Sequence, residues 1–423
     1  MSFITPQAKD VRNKTVIVRV DFNVPLDGER VVDDQRIRAA LETILFLREH
    51  QAKIILISHL GRPDGMRVAK YSLAPVANYL NNNLKLPTYF VDNCIGEQVS
   101  NACKKMQSGE MLLLENLRFH PEEEANDAKF AKQLVANTGA EVFINEAFSA
   151  SHRKHASVVG LSQLLPHFAG FDLAAEVKIL QKMMEKTARP FITVLGGAKI
   201  DDKVEAVEAL VKVSDLVLVG GGVANAFLKA SGMEIHKSFI GKNTEANLAM
   251  AKKILSSDGL ERTMLKSASY PQGLPLPKVV LPIDMLAAQN ADVNKIENTQ
   301  MIELLKDVAD QPTDLDLQYL DLGPATIKLY KYLLSQAKTI FWNGPLGVFE
   351  NPLFAKASNS IAKHIAMLST DHGVMSVCGG GETGAVVNTN GLHNRFAHVS
   401  TAGGAALEFI GGKELPGLTA LRK

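Results

Sequence analysis

Cysteine is nearly missing from this 423-residue chain: Cys94, Cys103 and Cys378 are its only three. No two stand in a C-x-x-C spacing, so neither a disulfide framework nor a cysteine zinc site is expected, and the set suits a reducing compartment. Net charge is missing too, since 46 Lys+Arg against 45 Asp+Glu leave +1. So small a global field argues against a nucleic-acid coat or a membrane-surface protein. Long apolar runs are also lacking, and the most apolar stretches, 216–228 and 339–349, fall short of the ~20 residues a membrane span needs. The opening MSFITPQAKDVRNK shows no charged segment followed by an apolar one, so a cytoplasmic protein is expected. Hydrophobic content of 46% with 22% charged residues is ordinary for a globular chain and excludes disorder.

What the chain does have is a recurring pattern. Short β-branched apolar runs at 15–20, 53–58, 111–115, 141–145, 191–195, 216–219, 279–283, 339–342 and 374–378 read as strands. Runs apolar on both faces suit parallel sheets covered by helices. Helix-period segments lie between them at 36–49, 125–138, 206–213 and 351–367, so right-handed βαβ units are expected. Length suggests two or three domains, and the segment 172–187 reads as a connecting helix, with Leu173, Val177, Leu180 and Met184 on one stripe. Ten of the fourteen arginines precede residue 172, whereas glycine doublets and triplets cluster after it. The turn-rich stretch 256–277 reads as a surface excursion.

In open α/β sheets ligands bind at the carboxyl ends of strands. In the first half those ends read VRVDFNVP, LISHLGRP, LLENLRFHPEE and INEAFSASHRKHAS, carrying Asp21, Asn23, His59, Arg62, Arg118, His120, His152, Arg153 and His155. Arg36 opens the helix after the first strand. The arginine fork grips carboxylate and phosphate bidentately, so the set predicts a pocket for a small, multiply charged anion. The histidines lack metal-ligand spacing and read as hydrogen-bonding groups.

In the second half the ends are LGGAKIDDK, VLVGGGVANAF, FWNGPLGVFE and VCGGGETGA. Glycine between strand and helix lets backbone N–H groups approach phosphate. No Walker A pattern occurs. Gly379, Gly381 and Gly384 satisfy G-x-G-x-x-G, but AHVSTAGG has no carboxylate where a dinucleotide fold wants one, so an NAD-dependent dehydrogenase is the alternative. Lys199 and Lys203, four residues apart, would face a phosphoryl group from one helix face. Glu350 is placed to grip a ribose hydroxyl, and Glu382 with Thr383 to reach Mg²⁺.

Taken together, VRVDFNVP, SHLGRP, ENLRFHPEE, GGAKIDDK, FWNGPLGVFE, GGGET and HVSTAGGAALEFIGGKELPG closely resemble, in order, the signatures of the phosphoglycerate kinase family. The resemblance implies two Rossmann-like parallel-sheet α/β domains joined by a long helix and hinge. Residues 1–171 with 407–423 would form the 3-phosphoglycerate domain, 172–188 the helix, and 189–406 the nucleotide domain. It implies a cytoplasmic hinge-bending monomer that moves a phosphoryl group from 1,3-bisphosphoglycerate to ADP, with Mg²⁺. Carried over by motif, Asp21, Asn23, Arg36, His59, Arg62, Arg118 and Arg153 bind the acid substrate. Lys199, Lys203, Gly220, Gly221, Asn343, Glu350 and Gly379, Gly380, Gly381, Glu382 and Thr383 bind the nucleotide. Arg36, Lys199 and the backbone at Gly380 act on the group in transit. The chain departs from the family's usual GGGDT at Glu382, the implied metal ligand, from its N-D-A-F-G in NEAFSASH, and at Ala325, where lysine is common.

Both nucleophiles of that reaction are already ionised, because carboxylic acids titrate near pH 4. No general base is needed, and the work is positioning and charge neutralisation.

Overall fold

The computed structural model describes residues 3–185, 187–198, 204–257, 277–290, 292, 298–304 and 315–422. Packing divides the chain into two units, Met1–Gln181 with Glu414–Lys423, and Lys182–Lys413.

The first unit holds β1 (Thr15–Arg19), β2 (Lys53–Ile57), β3 (Tyr89–Val91), β4 (Met111–Leu114), β5 (Val142–Asn145) and β6 (His167–Ala169). They form one sheet in the order β3-β4-β2-β1-β5-β6, parallel throughout. Successive side chains of a strand point to opposite faces, and both faces are apolar here. Val16, Val18, Ile54, Leu56 and Leu113 enter one core, while Ile17, Ile55, Ile57, Leu114 and Phe143 enter the other. Each fully buried aliphatic side chain contributes roughly 1.5–3 kcal/mol, so this double burial fixes the register. Arg19 lies opposite Ile57 and Asn145, which aligns three strand ends along one edge.

The second unit holds β7 (Phe191–Leu195), β8 (Leu216–Val219), β9 (Val279–Val280), β10 (Asp284–Ala288), β11 (Gln300–Glu303), β12 (Gln318–Leu322), β13 (Thr339–Asn343), β14 (Met375–Gly379) and β15 (His398–Ser400). A parallel sheet runs β9-β8-β7-β13-β14-β15. Its carboxyl edge aligns Val219, Leu195, Asn343, Gly379 and Ser400. Beside it β11-β10-β12 make a small antiparallel sheet.

The expected strands are all present, and the short edge strands β3, β6 and β15 and the antiparallel sheet come in addition. An expected run at 279–283 stops as a strand at Val280, and the chain turns through Pro282 into β10. Helix boundaries also differ. Asp127 Oδ1 accepts the amides of Lys129 and Phe130, both at 2.8 Å, and this N-cap starts the helix at Ala128 rather than 125. The helix expected over 36–49 divides at Ala40 into Gln35–Ala39 and Leu41–Glu49. The connecting helix runs Phe171–Glu185. Its first amides are taken by Thr43 Oγ1 (from Phe171, 3.0 Å) and Glu146 Oε1 (from Asp172, 3.2 Å).

Candidate functional site

The predicted acid-substrate residues lie at the carboxyl edge of the first sheet. Asp21, just past β1, accepts from Arg36 Nη1 at 2.8 Å and from Ser149 Oγ. Arg36 Nη1 also donates to the Asn23 carbonyl at 3.1 Å. Asn23 in turn uses Oδ1 to hold the Gly61 amide at 2.8 Å, and Arg118 Nη1 donates to the Gly61 carbonyl at 2.8 Å. One connected network thus spans the ends of β1, β2 and β4. Arg153, from the loop after β5, is close enough for its charge to act on both Arg118 and His152. Arg62 follows Gly61 in the same loop and is exposed.

The cluster is short of counter-charge. Burial, then the Arg153 charge, pushes Arg118 down to about 10, which leaves it cationic at neutral pH. Its Nε lies 3.0 Å from Glu124 Oε1 without hydrogen-bond alignment. Burial and then Arg19, Arg118, Arg36 and His155 hold His59 well below the usual histidine range. His152 is driven to about 4 by burial and then Arg153. Neutral histidines among fixed arginines make a strand-end cluster whose donors suit an anion.

In the second unit a cleft of about 440 Å³ opens at the carboxyl ends of β7, β8 and β13. Gly197, Gly221, Pro345, Gly347, Glu350 and Glu382 are among the residues that line it. Glycine is required where the strands' loops interlock. A Cβ on Gly344 would stand 2.2 Å from the Gly196 carbonyl oxygen, and one on Gly220 would stand 2.6 Å from the Leu346 side chain. The amides of Gly220, Gly221 and Gly222 are already bonded, to the carbonyls of Leu195, Leu346 and Gly197 at 2.8, 3.0 and 3.0 Å. Gly220 and Gly221 therefore serve by close approach of backbones and not by presenting N–H groups.

The unbonded amides lie at the next loop. Gly380, at φ +96°, turns the chain and gives its own N–H to the Ser400 carbonyl at 3.1 Å. Helix Gly381–Thr389 follows, and its first internal bond runs from Gly384 to the Gly380 carbonyl. Among the described residues, the amides of Gly381, Glu382 and Thr383 meet no acceptor. Three such N–H groups at a helix start suit a phosphate. Thr383 is buried and accepts the Gly344 amide at 2.7 Å, while Asn343 Nδ2 holds the Gly379 carbonyl at 2.7 Å. Both residues thus set the loop's shape. Glu350 and Glu382 are exposed at the cleft. Lys199 and Lys203 lie outside the described residues, as does most of the stretch 256–277.

Sequence reasoning missed Phe239, Tyr319, Asn225 and Val348 in the cleft wall. An exposed phenylalanine in a loop carries no periodic signal. It also missed Gly344, whose φ of +90° is foreshadowed only by the N-G-P turn string.

The sequence model of the family described as Phosphoglycerate kinase matches residues 7–413. Phosphoglycerate kinase of Coprothermobacter proteolyticus is 45% identical over 414 residues, 97% of each chain. That of Moorella thermoacetica is 40% identical over 421 residues, 100% of this chain and 99% of the relative. Among solved structures, phosphoglycerate kinase from Pyrococcus horikoshii superposes with a TM-score of 0.82 at 31% identity, covering 97% of this chain and 96% of that one. The dehydrogenase alternative falls with these matches, and β15 ends in Ser400 with no carboxylate for a ribose. Across nearly its whole length, the chain belongs to the phosphoglycerate kinase family.

Proposed function

We infer that the basic cluster of the first unit takes 3-phosphoglycerate and that the glycine-lined cleft of the second takes ADP or ATP. The overall reaction is that of the family: phosphoryl transfer from 1,3-bisphosphoglycerate to ADP, giving ATP and 3-phosphoglycerate. The observation that carries the division is the network Arg36–Asp21–Asn23–Gly61–Arg118. It fixes two guanidinium groups at one sheet edge, beside a neutral His59, with one well-placed carboxylate among them.

Bidentate arginine contacts would orient the acid substrate's carboxylate and phosphate. The amides of 381–383 would bind nucleotide phosphate, and Glu350 the ribose. Arg36 and Lys199 would neutralise charge on the equatorial oxygens as the group moves, with Gly380 setting the loop. The two substrates enter different units, so closure about the connecting helix would bring them into line and exclude water from the acyl phosphate.

Among the described residues no three His, Cys, Asp or Glu side chains gather as a metal cage. Glu350 and Glu382 both line the cleft, and Glu382 is the one in the first turn of the helix whose amides are unbonded; a single carboxylate there fits Mg²⁺, which takes most of its ligands from phosphate and water. Bound with the nucleotide, Mg²⁺ would supply positive charge to the phosphate oxygens. No described helix is long and apolar enough to cross a membrane. The family reading carries with it a cytoplasmic monomer, with neither nucleic acid nor membrane as partner.

Calorimetric titration tests the division. Arg118→Ala is expected to weaken 3-phosphoglycerate binding by tenfold or more, on the order of one charged hydrogen-bond pair, with ADP binding unchanged. Equal loss of both ligands would contradict it.

A further inference from the structure

Beneath the basic cluster lies a buried polar chain that the reading above leaves unused. Arg19, the last residue of β1, is 1% exposed. Its Nε donates to Ser157 Oγ at 2.9 Å, its Nη1 donates to the Val20 carbonyl, and its Nη2 meets His59 Nδ1 at 3.0 Å. A guanidinium has donors only. His59 Nδ1 is therefore the acceptor, and the ring carries its proton on Nε2, which meets no protein acceptor among the described residues.

The polarity continues away from the site. Ser157 Oγ has accepted from Arg19, so its own hydrogen goes to Glu123 Oε1, at 2.5 Å. The Ser157 amide donates to Glu123 Oε2 at 2.9 Å, and His155 Nδ1 lies 3.7 Å from Oε1. Glu123 is completely buried, and each of these partners offers it a hydrogen or a positive charge. Burial alone would raise its carboxyl, but the nearby His155 ring, the Arg19 charge and Ser157 together hold it below the usual carboxylate range. It is ionised at neutral pH.

We propose that Glu123 is a positioning residue for the acid substrate: through Ser157 and Arg19 its carboxylate fixes His59 as a neutral Nε2–H donor to the bound anion. The proposal rests on the first unit's basic cluster being the 3-phosphoglycerate site. A second proton on His59 would have to enter at Nδ1, against the Arg19 N–H and in the field of Arg36, Arg118 and His155. The donor therefore stays in one state through the pH range where a free histidine titrates. Glutamine at 123 cannot do this, because its NH₂ must face one of the Ser157 or His155 donors, and Arg19 loses the larger of its two counter-charges, Asp21 being the other.

The wild-type chain supplies the first test, through ¹⁵N spectra of its histidine rings, with His59 assigned by the signal that His59→Gln removes. The expected His59 has a protonated Nε2, an unprotonated Nδ1 and no titration between about pH 6 and pH 8, and it shifts when 3-phosphoglycerate is added. An Nδ1–H ring, or one that titrates in that range, overturns the proposal even if 3-phosphoglycerate shifts it. The expected tautomer without any response to 3-phosphoglycerate refutes the site assignment, and the proposal with it. Glu123→Gln is then expected to raise the KM for 3-phosphoglycerate about tenfold, with kcat and the ADP KM within about twofold and the His59 signature altered. If that variant does not fold, Ser157→Ala, which cuts the chain while leaving the charge, is expected to shift the same KM about threefold. Folded variants with an unchanged KM and unchanged His59 signals would overturn the proposal.

Discussion

Replacing Asp321 by asparagine should stabilise the second unit, and more so as pH rises. Asp321, in β12, is 1% exposed. Oδ2 accepts the Ala357 amide at 3.1 Å, but Oδ1 is buried without a partner. Around a Cβ position built on Gly347, Oδ1 stands at 2.4 Å, the Phe354 carbonyl at 2.6 Å and the Leu320 carbonyl at 2.7 Å. Oδ1 thus lies buried with no donor, in a neighbourhood that also holds two carbonyl oxygens. Burial accordingly lifts this carboxyl from 3.8 to about 7, against the smaller opposing effect of backbone donors at Ala357, Leu322 and Lys356. The folded chain holds a proton here that the unfolded chain releases near pH 4. The associated stability is full below that pH and is lost as pH rises through about 7. At about 1.4 kcal/mol per pH unit, the wild type loses roughly 3 kcal/mol between about pH 5 and pH 8.5 that Asp321→Asn keeps. The variant retains an acceptor for Ala357 and places an NH₂ among the carbonyls. Trp342 is the chain's single tryptophan and is fully buried in β13, so its fluorescence during urea unfolding reports on this unit. A gain that grows by about 3 kcal/mol across that interval is expected. A gain that is the same at both pH values, or a loss at both, would refute the reasoning.

Three other substitutions probe the second unit. Gly344→Ala should abolish measurable ADP binding, because its Cβ would fall 2.2 Å from the Gly196 carbonyl and both loops line or support the cleft; isothermal titration reads this. Asp284→Ala should cost about 2–4 kcal/mol in urea unfolding, since Asp284 accepts the amides of Ala325 and Thr326 at 2.9 and 2.7 Å and the Thr326 hydroxyl at 2.6 Å. Glu382→Asp should change the Mg²⁺ concentration for half-maximal rate, while superimposable metal curves would remove Glu382 from the metal's ligands.

Legibility in the sequence followed how locally each feature is encoded. Strands such as Val16–Val18 and Ile54–Ile57 announce themselves because both faces are buried. The edge strand Tyr89–Val91 and the antiparallel sheet from Asp284 are short or one-sided and carry no such mark. The arginines and glycines at strand ends were legible because a parallel sheet gathers strand ends at one edge. Roles were less so. Gly220 and Gly221 look like phosphate-binding glycines, but their amides are committed to Leu195 and Leu346. Glu123 reads in PEEE as part of a solvated run and Arg19 as one more arginine. Their pairing depends on Ser157, 34 residues from Glu123 and 138 from Arg19, a separation no local pattern reports.

The claim that the two strand-end sites serve one phosphoryl transfer is met most directly by a coupled assay of ATP formation from 1,3-bisphosphoglycerate and ADP, run on the wild-type chain and on Arg36→Ala. The wild type is expected to form ATP, and the variant to turn over more slowly by orders of magnitude with ADP affinity nearly intact, since Arg36 sits with Asp21 in the first unit. No ATP from the wild type, or a variant that loses ADP affinity while keeping its turnover, would contradict the account.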